Sequence, residues 1–308
     1  MRPLGQLADE YLQLRRVLGH KMEHGARLLP QFTSYLEDIG AESVTIEATL
    51  AWAQSSPSDP APASRAQRLA VASGFARYLV GIDPRTQVPP TGLLPYPRQK
   101  RPPFIYSADD IAALMAEARR LQPLLRSATY ETLIGLLAAT GMRVGETIRL
   151  DRTDVNLSEG VLVVRMSKFG KSRDVLLHPS TTEALTRYGR KRDEAQLTPV
   201  VPSFFISGRG KRLEDTTLHE TFRHLVDSAG VGVGAPIIPR IHDLRHSFAV
   251  RTLVGWYRDG QDVQACLPRL STYLGHLDPH STYWYLSAAP ELLALAAGRL
   301  EAAEGDRA

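Results

Sequence analysis

From Asp83 to Pro103 proline recurs every few residues, in Asp83-Pro-Arg-Thr-Gln-Val-Pro-Pro90, in Leu94-Pro-Tyr-Pro97 and in Arg101-Pro-Pro103. Each proline removes a backbone donor and fixes φ, so neither a helix interior nor an inner strand runs through such a stretch. A chain of 308 residues interrupted in this way folds as two units joined by an extended segment. The expected division is a helical unit over residues 1–95, a linker over 96–105, and a second unit over 106–308.

Before the prolines, apolar residues recur at helical spacing. Leu7, Tyr11, Leu14 and Leu18 form one stripe, and Leu28, Leu29, Phe32, Tyr35 and Leu36 another, which predicts two helices within residues 5–38. A third begins after Thr45, a plausible cap, and runs to Trp52. Ser55-Ser-Pro-Ser-Asp-Pro-Ala-Pro62 is a turn-rich connector, and a fourth helix follows over about Ala63–Val80, with Arg65, Arg68 and Arg77 beside its apolar positions.

After the prolines, Ser107 caps a helix running through Leu114 and Ala118, and another spans about Ser127–Ala139 before Thr140-Gly141 stops it. Val161-Leu-Val-Val-Arg-Met166 and Arg173-Asp-Val-Leu-Leu177 are short β-rich runs with Gly170 at the turn between them, a hairpin candidate. Helices are expected near residues 181–195, 214–229, 242–258, 264–275 and 280–286, and an alanine- and leucine-rich one from Pro290 to Arg299. The fold class is therefore mainly α with a small β-hairpin or sheet.

Composition bounds the function without choosing it. Lys+Arg 37 against Asp+Glu 33 gives a net charge of +4, compatible with a nucleic-acid partner and with many others. Cys266 stands alone, which rules out an intramolecular disulfide and a multi-cysteine zinc site. Met1 to Leu12 carries Arg2, Asp9 and Glu10 in place of a leader's apolar run, and no apolar stretch reaches membrane-spanning length. A cytoplasmic protein with no membrane partner is expected.

The chemistry-bearing residues lie in the second unit. Arg143 sits in Ala139-Thr-Gly-Met-Arg-Val-Gly-Glu146, and Lys168 and Lys171 in Ser167-Lys-Phe-Gly-Lys-Ser172. His242 and Arg245 share a helix face in Ile241-His-Asp-Leu-Arg-His246. His276 closes Ser271-Thr-Tyr-Leu-Gly-His276, nine residues before the second tyrosine of Thr282-Tyr-Trp-Tyr285. Guanidinium groups are permanently charged and fork onto two oxygens at once, which suits Arg143 and Arg245 to the non-bridging oxygens of a phosphodiester. A lysine on a hairpin tip is suited to protonating a leaving oxygen, and both Lys168 and Lys171 qualify. A phenol of reference pKa ~10 becomes a nucleophile only beside a base or cations. Tyr283 and Tyr285 both qualify chemically, but two residues apart on a helix only one can face such a pocket. His242 can accept the phenol's proton or hold a phosphate oxygen. His246, one turn on, invites a metal reading that lacks a third ligand; packing or a structural hydrogen bond is expected of it. No metal or other cofactor is implied. Gly230-Val-Gly-Val-Gly234 lacks the Lys-Ser/Thr of a phosphate loop.

Taken in order, Arg143, Lys168, His242-x-x-Arg245, Leu-Gly-His276 and Tyr285 resemble the tyrosine recombinase (phage integrase) family over roughly residues 106–290, with residues 1–95 similar to its helical core-binding domain. The resemblance implies a two-domain, C-shaped clamp around double-stranded DNA and catalysis by Arg143, Lys168, His242, Arg245, His276 and Tyr285. It selects Lys168 over Lys171 as general acid and Tyr285 over Tyr283 as nucleophile. Glu146 is expected to buttress Arg143 or another basic group. Arg65, Arg68, Arg98, Lys100, Arg101, Lys171, Arg209 and Lys211 are candidate DNA contacts, with a solvated role open for the linker and turn residues. The resemblance further implies a homotetramer on two duplexes, or a hetero-assembly with related recombinases, and the run around Thr282–Leu292 resembles enzymes of mobile elements. Two rivals are a type IB topoisomerase-like nicking-closing enzyme and a non-catalytic DNA-binding accessory protein.

Overall fold

The computed structural model describes residues 2–55, 61–94, 102–165, 172–195, 201–276, 282–283, 285–286 and 292. Their contacts divide the chain into two units, Met1–Arg101 and Pro102–Ala308.

Among the described residues the first unit holds four helices, α1 (Leu4–Val17), α2 (Glu23–Asp38), α3 (Ile46–Gln54) and α4 (Pro62–Leu79). Leu7, Leu29, Phe32, Leu36, Trp52, Phe75 and Leu79 form its core; the second apolar stripe faces inward, whereas of the first only Leu7 and Tyr11 are buried and Leu14 and Leu18 are exposed. Thr45 caps α3 by accepting a hydrogen bond from the Ala48 amide at 3.1 Å. Pro62 starts α4, where its missing N–H would have had no partner anyway.

Two expectations need correction in this unit. The proline-dense stretch does not behave as a free join from Asp83 onward. The Gln87 amide donates to the Val44 carbonyl at 2.8 Å, the Gln87 side chain accepts from the Ile46 amide at 3.1 Å, and Val88 and Leu94 pack on the helical core. Arg68, offered as a DNA contact, is buried at 8% exposure. Its guanidinium lies 3.9 Å over the Trp52 ring and donates to the Trp52 carbonyl at 2.7 Å, an acceptor left over in the last turn of α3. A side chain held in this way serves the bundle and presents nothing to a phosphate.

The second unit is built around α6 (Leu124–Thr140), against which α5 (Ala108–Arg119), α8 (Pro179–Ala195) and α10 (Asp243–Arg258) pack. Leu133, Ile134 and Leu137 carry that contact with no exposure to solvent beyond 1%. Ser107 and Asp110 cap α5 reciprocally, as the sequence suggested. The short α7 (Val144–Arg149) follows α6 after one residue in the left-handed region, Gly141 at φ 60°. A side-chain carbon at Gly141 would stand 2.5 Å from the Phe248 ring, so only glycine fits both the turn and the packing.

Among the described residues a three-stranded antiparallel sheet, β1 (Val155–Asn156), β2 (Val161–Val164) and β3 (Arg173–Leu176), is the small sheet expected, with the predicted β2–β3 pair placing Val161 opposite Leu176 and Val164 opposite Arg173. Then come α9 (Asp215–Ser228) and, after α10, α11 (Val263–Leu274). The hairpin tip with Lys168 and Lys171, the linker residues Arg98, Lys100 and Arg101, Trp284 and the expected tail helix over Pro290–Arg299, apart from Leu292, lie outside the described residues.

Candidate active site

Three chain turns converge in the second unit. The α6–α7 turn carries Arg143, the start of α10 carries His242, Arg245 and His246, and the end of α11 carries His276. Gly275, at φ 69°, ends α11 and turns His276 out of the helix.

Arg245 is 2% exposed and spans two of these turns. It donates to the Gly141 carbonyl at 2.7 Å and to the Leu274 carbonyl at 2.7 Å. Both carbonyls belong to helix ends and would otherwise lack partners in a dry place. Burial, and then the charge of Arg143, lowers its pKa to about 10, which still leaves it fully charged at neutral pH.

Arg143 donates to Glu146 at 2.6 Å and to the Gly275 carbonyl at 3.0 Å. Glu146, 4% exposed, is the buttress expected, but it serves a second arginine as well. Arg173, the first residue of β3, donates to both Glu146 oxygens, at 3.2 and 2.8 Å, and through Nε to the Tyr273 carbonyl at 2.9 Å. A side-chain carbon at Gly275 would fall 2.9 Å from the Arg173 guanidinium, so glycine is needed there for close approach as well as for the turn. Burial alone would raise the pKa of Glu146; the hydrogen bonds and charge of Arg173, and then those of Arg143, override it and hold the carboxyl at about 2. Two guanidinium groups thus share one carboxylate, and with Arg245 beside them the pocket keeps a positive excess.

Tyr285 is 2% exposed and lies among these groups. Burial raises its pKa, opposed by the charge of Arg245 and a hydrogen bond from it. Its hydroxyl is 3.1 Å from Nδ1 of His246, and its ring lies 6.2 Å from that of His276. Tyr283, the alternative nucleophile, is 43% exposed. Its neighbour Thr282 is buried and meets Nδ1 of His276 at 2.8 Å, which fixes that ring's orientation.

Among the histidines, His246, for which packing or a structural hydrogen bond was expected, meets the phenol through Nδ1, and the His242 ring lies 5.1 Å from that of His246, edge to face. Burial, then His242 and Arg245, press His246 down to about 3; burial, then Arg245 and Arg143, press His276 to about 4. Partial desolvation and Arg245 lower His242 too, although its ring remains open to solvent. All three are neutral at physiological pH in the absence of an anion.

The sequence brought Arg143, Glu146, His242, Arg245, His276 and Tyr285 to notice, and the structure gathers them. It missed Arg173, and it did not name Tyr285 as the partner of His246. A charged residue opening a strand just after the lysine-bearing turn was the available signal for Arg173; nothing local signalled His246. Of the other candidate DNA contacts, Arg65 is half-buried on α4, while Arg209 and Lys211 are exposed on the Ser207–Lys211 turn. That turn borders a cleft of about 720 Å³ also lined by Arg126 and Arg212. Among the described residues, no three His, Cys, Asp or Glu side chains group as metal ligands, and no helix is long and apolar enough to cross a membrane.

A fold of this kind, with a tyrosine among buried arginines and histidines, matches known proteins along most of the chain. The model of the phage integrase family matches residues 105–291. A putative integrase/recombinase of Sinorhizobium fredii, y4rB, is 42% identical over 309 aligned positions, covering 98% of each chain. Tyrosine recombinase XerD of Rhizobium meliloti is 30% identical, over 75% of this chain and 71% of that one. In fold, the chain is similar to the Tn1549 transposon integrase solved with transposon right end DNA, at TM-score 0.65 and 16% identity over 96% and 98% of the two chains. It is also similar to a lambda integrase tetramer on a Holliday junction, at TM-score 0.60 and 18% identity over 92% and 76%. The chain belongs to the phage integrase family. It is a tyrosine recombinase, an enzyme of site-specific DNA recombination.

Proposed function

We propose that Tyr285 attacks the scissile phosphate of a double-stranded recombination site, forming a 3′-phosphotyrosine link and releasing a 5′ hydroxyl. Attack by the partner strand's 5′ hydroxyl on that link then reseals the DNA. The observation that carries this is the Tyr285 hydroxyl, enclosed beside Arg245 and touching His246.

Each residue acts on charge at a stated place. Arg143 and Arg245 neutralise the non-bridging oxygens, whose negative charge grows in the pentacovalent transition state. Both are held rigid on backbone carbonyls before the phosphate arrives, so little reorganisation accompanies the reaction. Glu146 and Arg173 fix the Arg143 fork. His242, open to solvent, and His276, oriented by Thr282, donate hydrogen bonds to the same oxygens. Lys168, assigned from its place in the sequence, protonates the leaving 5′ oxygen. The linkage keeps the phosphodiester bond's energy, so resealing draws on no nucleotide.

The two units would grip the duplex as a clamp, with Arg65, Arg98, Lys100, Arg101, Lys171, Arg209 and Lys211 on phosphates. Four protomers on two duplexes, or a hetero-assembly with related recombinases, would exchange strands in the cytoplasm on behalf of a mobile element. The resemblance to a transposon integrase and to a tetramer on a Holliday junction supports that assembly.

The test is covalent trapping on nicked duplexes taken from the DNA flanking the gene. A denaturation-resistant protein–DNA band that persists in Tyr283→Phe and vanishes in Tyr285→Phe is expected. A band lost only in Tyr283→Phe would move the nucleophile, and relaxation of plasmids without regard to sequence would favour a nicking-closing enzyme.

A further inference from the structure

Resting on the assignment of Tyr285 as nucleophile, we propose that His246 is a catalytic residue: its Nδ1 takes the phenolic proton during strand cleavage and returns it during rejoining. The geometry is direct, since His246 Nδ1 lies 3.1 Å from the Tyr285 oxygen, within reach for proton transfer. His242 and His276 are placed otherwise, the first edge-on to His246 and the second with Nδ1 turned to Thr282. Residues 242, 245 and 246 lie on neighbouring rows at the start of α10, the His242 and His246 rings side by side, and His246 turns its Nδ1 to the Tyr285 oxygen.

The step balances. The Tyr285 O–H bond breaks and its proton moves to Nδ1, giving an imidazolium with protons on both nitrogens. The phenolate oxygen bonds to phosphorus as the phosphorus–O5′ bond breaks, and the leaving oxygen takes its proton from the general acid. Rejoining reverses each transfer, with the imidazolium protonating the departing phenolate.

The charges around His246 say when this happens. It is faced by His242 and Arg245 on α10, Arg240 just before that helix, His276 beyond α11, and Tyr285 itself. Burial and these cations keep the imidazole neutral while no DNA is bound, and burial holds the phenol protonated against the pull of Arg245 and Arg143. A phosphodiester among Arg143, Arg245 and the histidines brings in a negative charge, which offsets the cations and favours the imidazolium. The nucleophile is thereby activated by its own substrate.

The experiment is single-turnover cleavage of a nicked suicide duplex from pH 5.5 to 9, with binding measured in parallel by fluorescence anisotropy. In His246→Asn the amide oxygen replaces Nδ1 as acceptor but cannot take a proton. We expect unchanged affinity and cleavage slower by roughly 10²-fold or more, with a rate that climbs with pH where the wild-type rate has levelled. His246→Ala should be restored in part by added imidazoles, faster for the more basic ones, a trend that mere cavity filling does not produce. Cleavage by His246→Asn within about threefold of wild type, or a slow His246→Ala that no imidazole restores, would overturn the proposal. Failure of wild type to form a Tyr285-dependent adduct at all would instead remove the nucleophile assignment beneath it.

Discussion

Both units bury an arginine on the carbonyl of a helix end, to opposite effect. In the first, Arg68 covers the Trp52 ring and satisfies the Trp52 carbonyl, and burial followed by the nearby charge of Arg27 lowers its pKa. In the second, Arg245 satisfies Gly141 and Leu274 but points onward to Tyr285, with Arg143, Arg173 and Glu146 around it. Burial of a guanidinium therefore says little by itself. An aromatic face makes it a structural strut, whereas a titratable hydroxyl among arginines held by a carboxylate makes it a site for an anion.

The strongest way to break this comparison is Arg245→Lys. A lysine keeps the charge but cannot bridge two carbonyls and a phosphate oxygen with a fixed fork. Cleavage should fall by roughly 10³-fold, the scale of losing one preorganised donor at developing charge, while affinity for the duplex changes far less. Equal losses of binding and cleavage would show that Arg245, like Arg68, mainly holds the fold.

Glu146→Gln comes next, at roughly 10²-fold in cleavage, because two guanidinium groups lose their shared anion and Arg143 loses its fixed direction. This variant also sharpens the contrast through pH. The folded-state pKa of Glu146, about 2, lies below the ordinary carboxyl value of about 4.3. Its stabilising contribution is thus complete above pH ~4.3 and is lost as pH falls from there towards 2. Thermal melts should show wild type losing stability across that window more steeply than Glu146→Gln. Parallel curves would mean that the carboxylate is not held by the arginines.

How much of this was legible in the chain depended on how local each cause is. Helices α1 to α6 and α8 to α11 were readable from apolar spacing and from caps such as Thr45 and Ser107, whose partners lie three residues away. Strand β1 was not, since two residues, Val155 and Asn156, carry no period and exist as a strand only through pairing with Leu162 and Val161. Arg143 and Glu146 were legible because glycine marks the turn at Gly141, and Arg245 because it stands three residues after His242 in a pattern resembling the family's. Arg173 and His246 were hidden because what defines them is far off: Glu146 precedes Arg173 by 27 positions, and Tyr285 follows His246 by 39. Arg68 was misjudged because α4 interleaves arginines with alanines and shows no clean polar face, so the sequence does not say which arginine turns inward.

Arg173→Lys should have a milder effect than the two changes above, roughly tenfold on cleavage, since a lysine reaches one Glu146 oxygen but loses the bond to the Tyr273 carbonyl. The loss should appear in the rate at saturating DNA and not in affinity, because Arg173 acts on Arg143 through Glu146. A purely weakened affinity would place Arg173 against the duplex.

Arg68→Met should leave cleavage within about twofold of wild type, the smallest catalytic effect of the series. Methionine keeps the aliphatic stem that packs in the bundle and removes the cation over Trp52 and the bond to its carbonyl. Those two contacts are worth together about 1–2 kcal/mol, reduced by relief from burying a charged group whose Nε has no partner. For a domain of this size each kcal/mol moves the melting temperature by about 4–8 °C, so a drop of a few degrees in the full chain is expected. The decisive combination is the pair of readouts. A lowered melting temperature with intact cleavage keeps Arg68 a strut, whereas unchanged stability with lost DNA binding would return it to the duplex-facing surface and dissolve the contrast with Arg245.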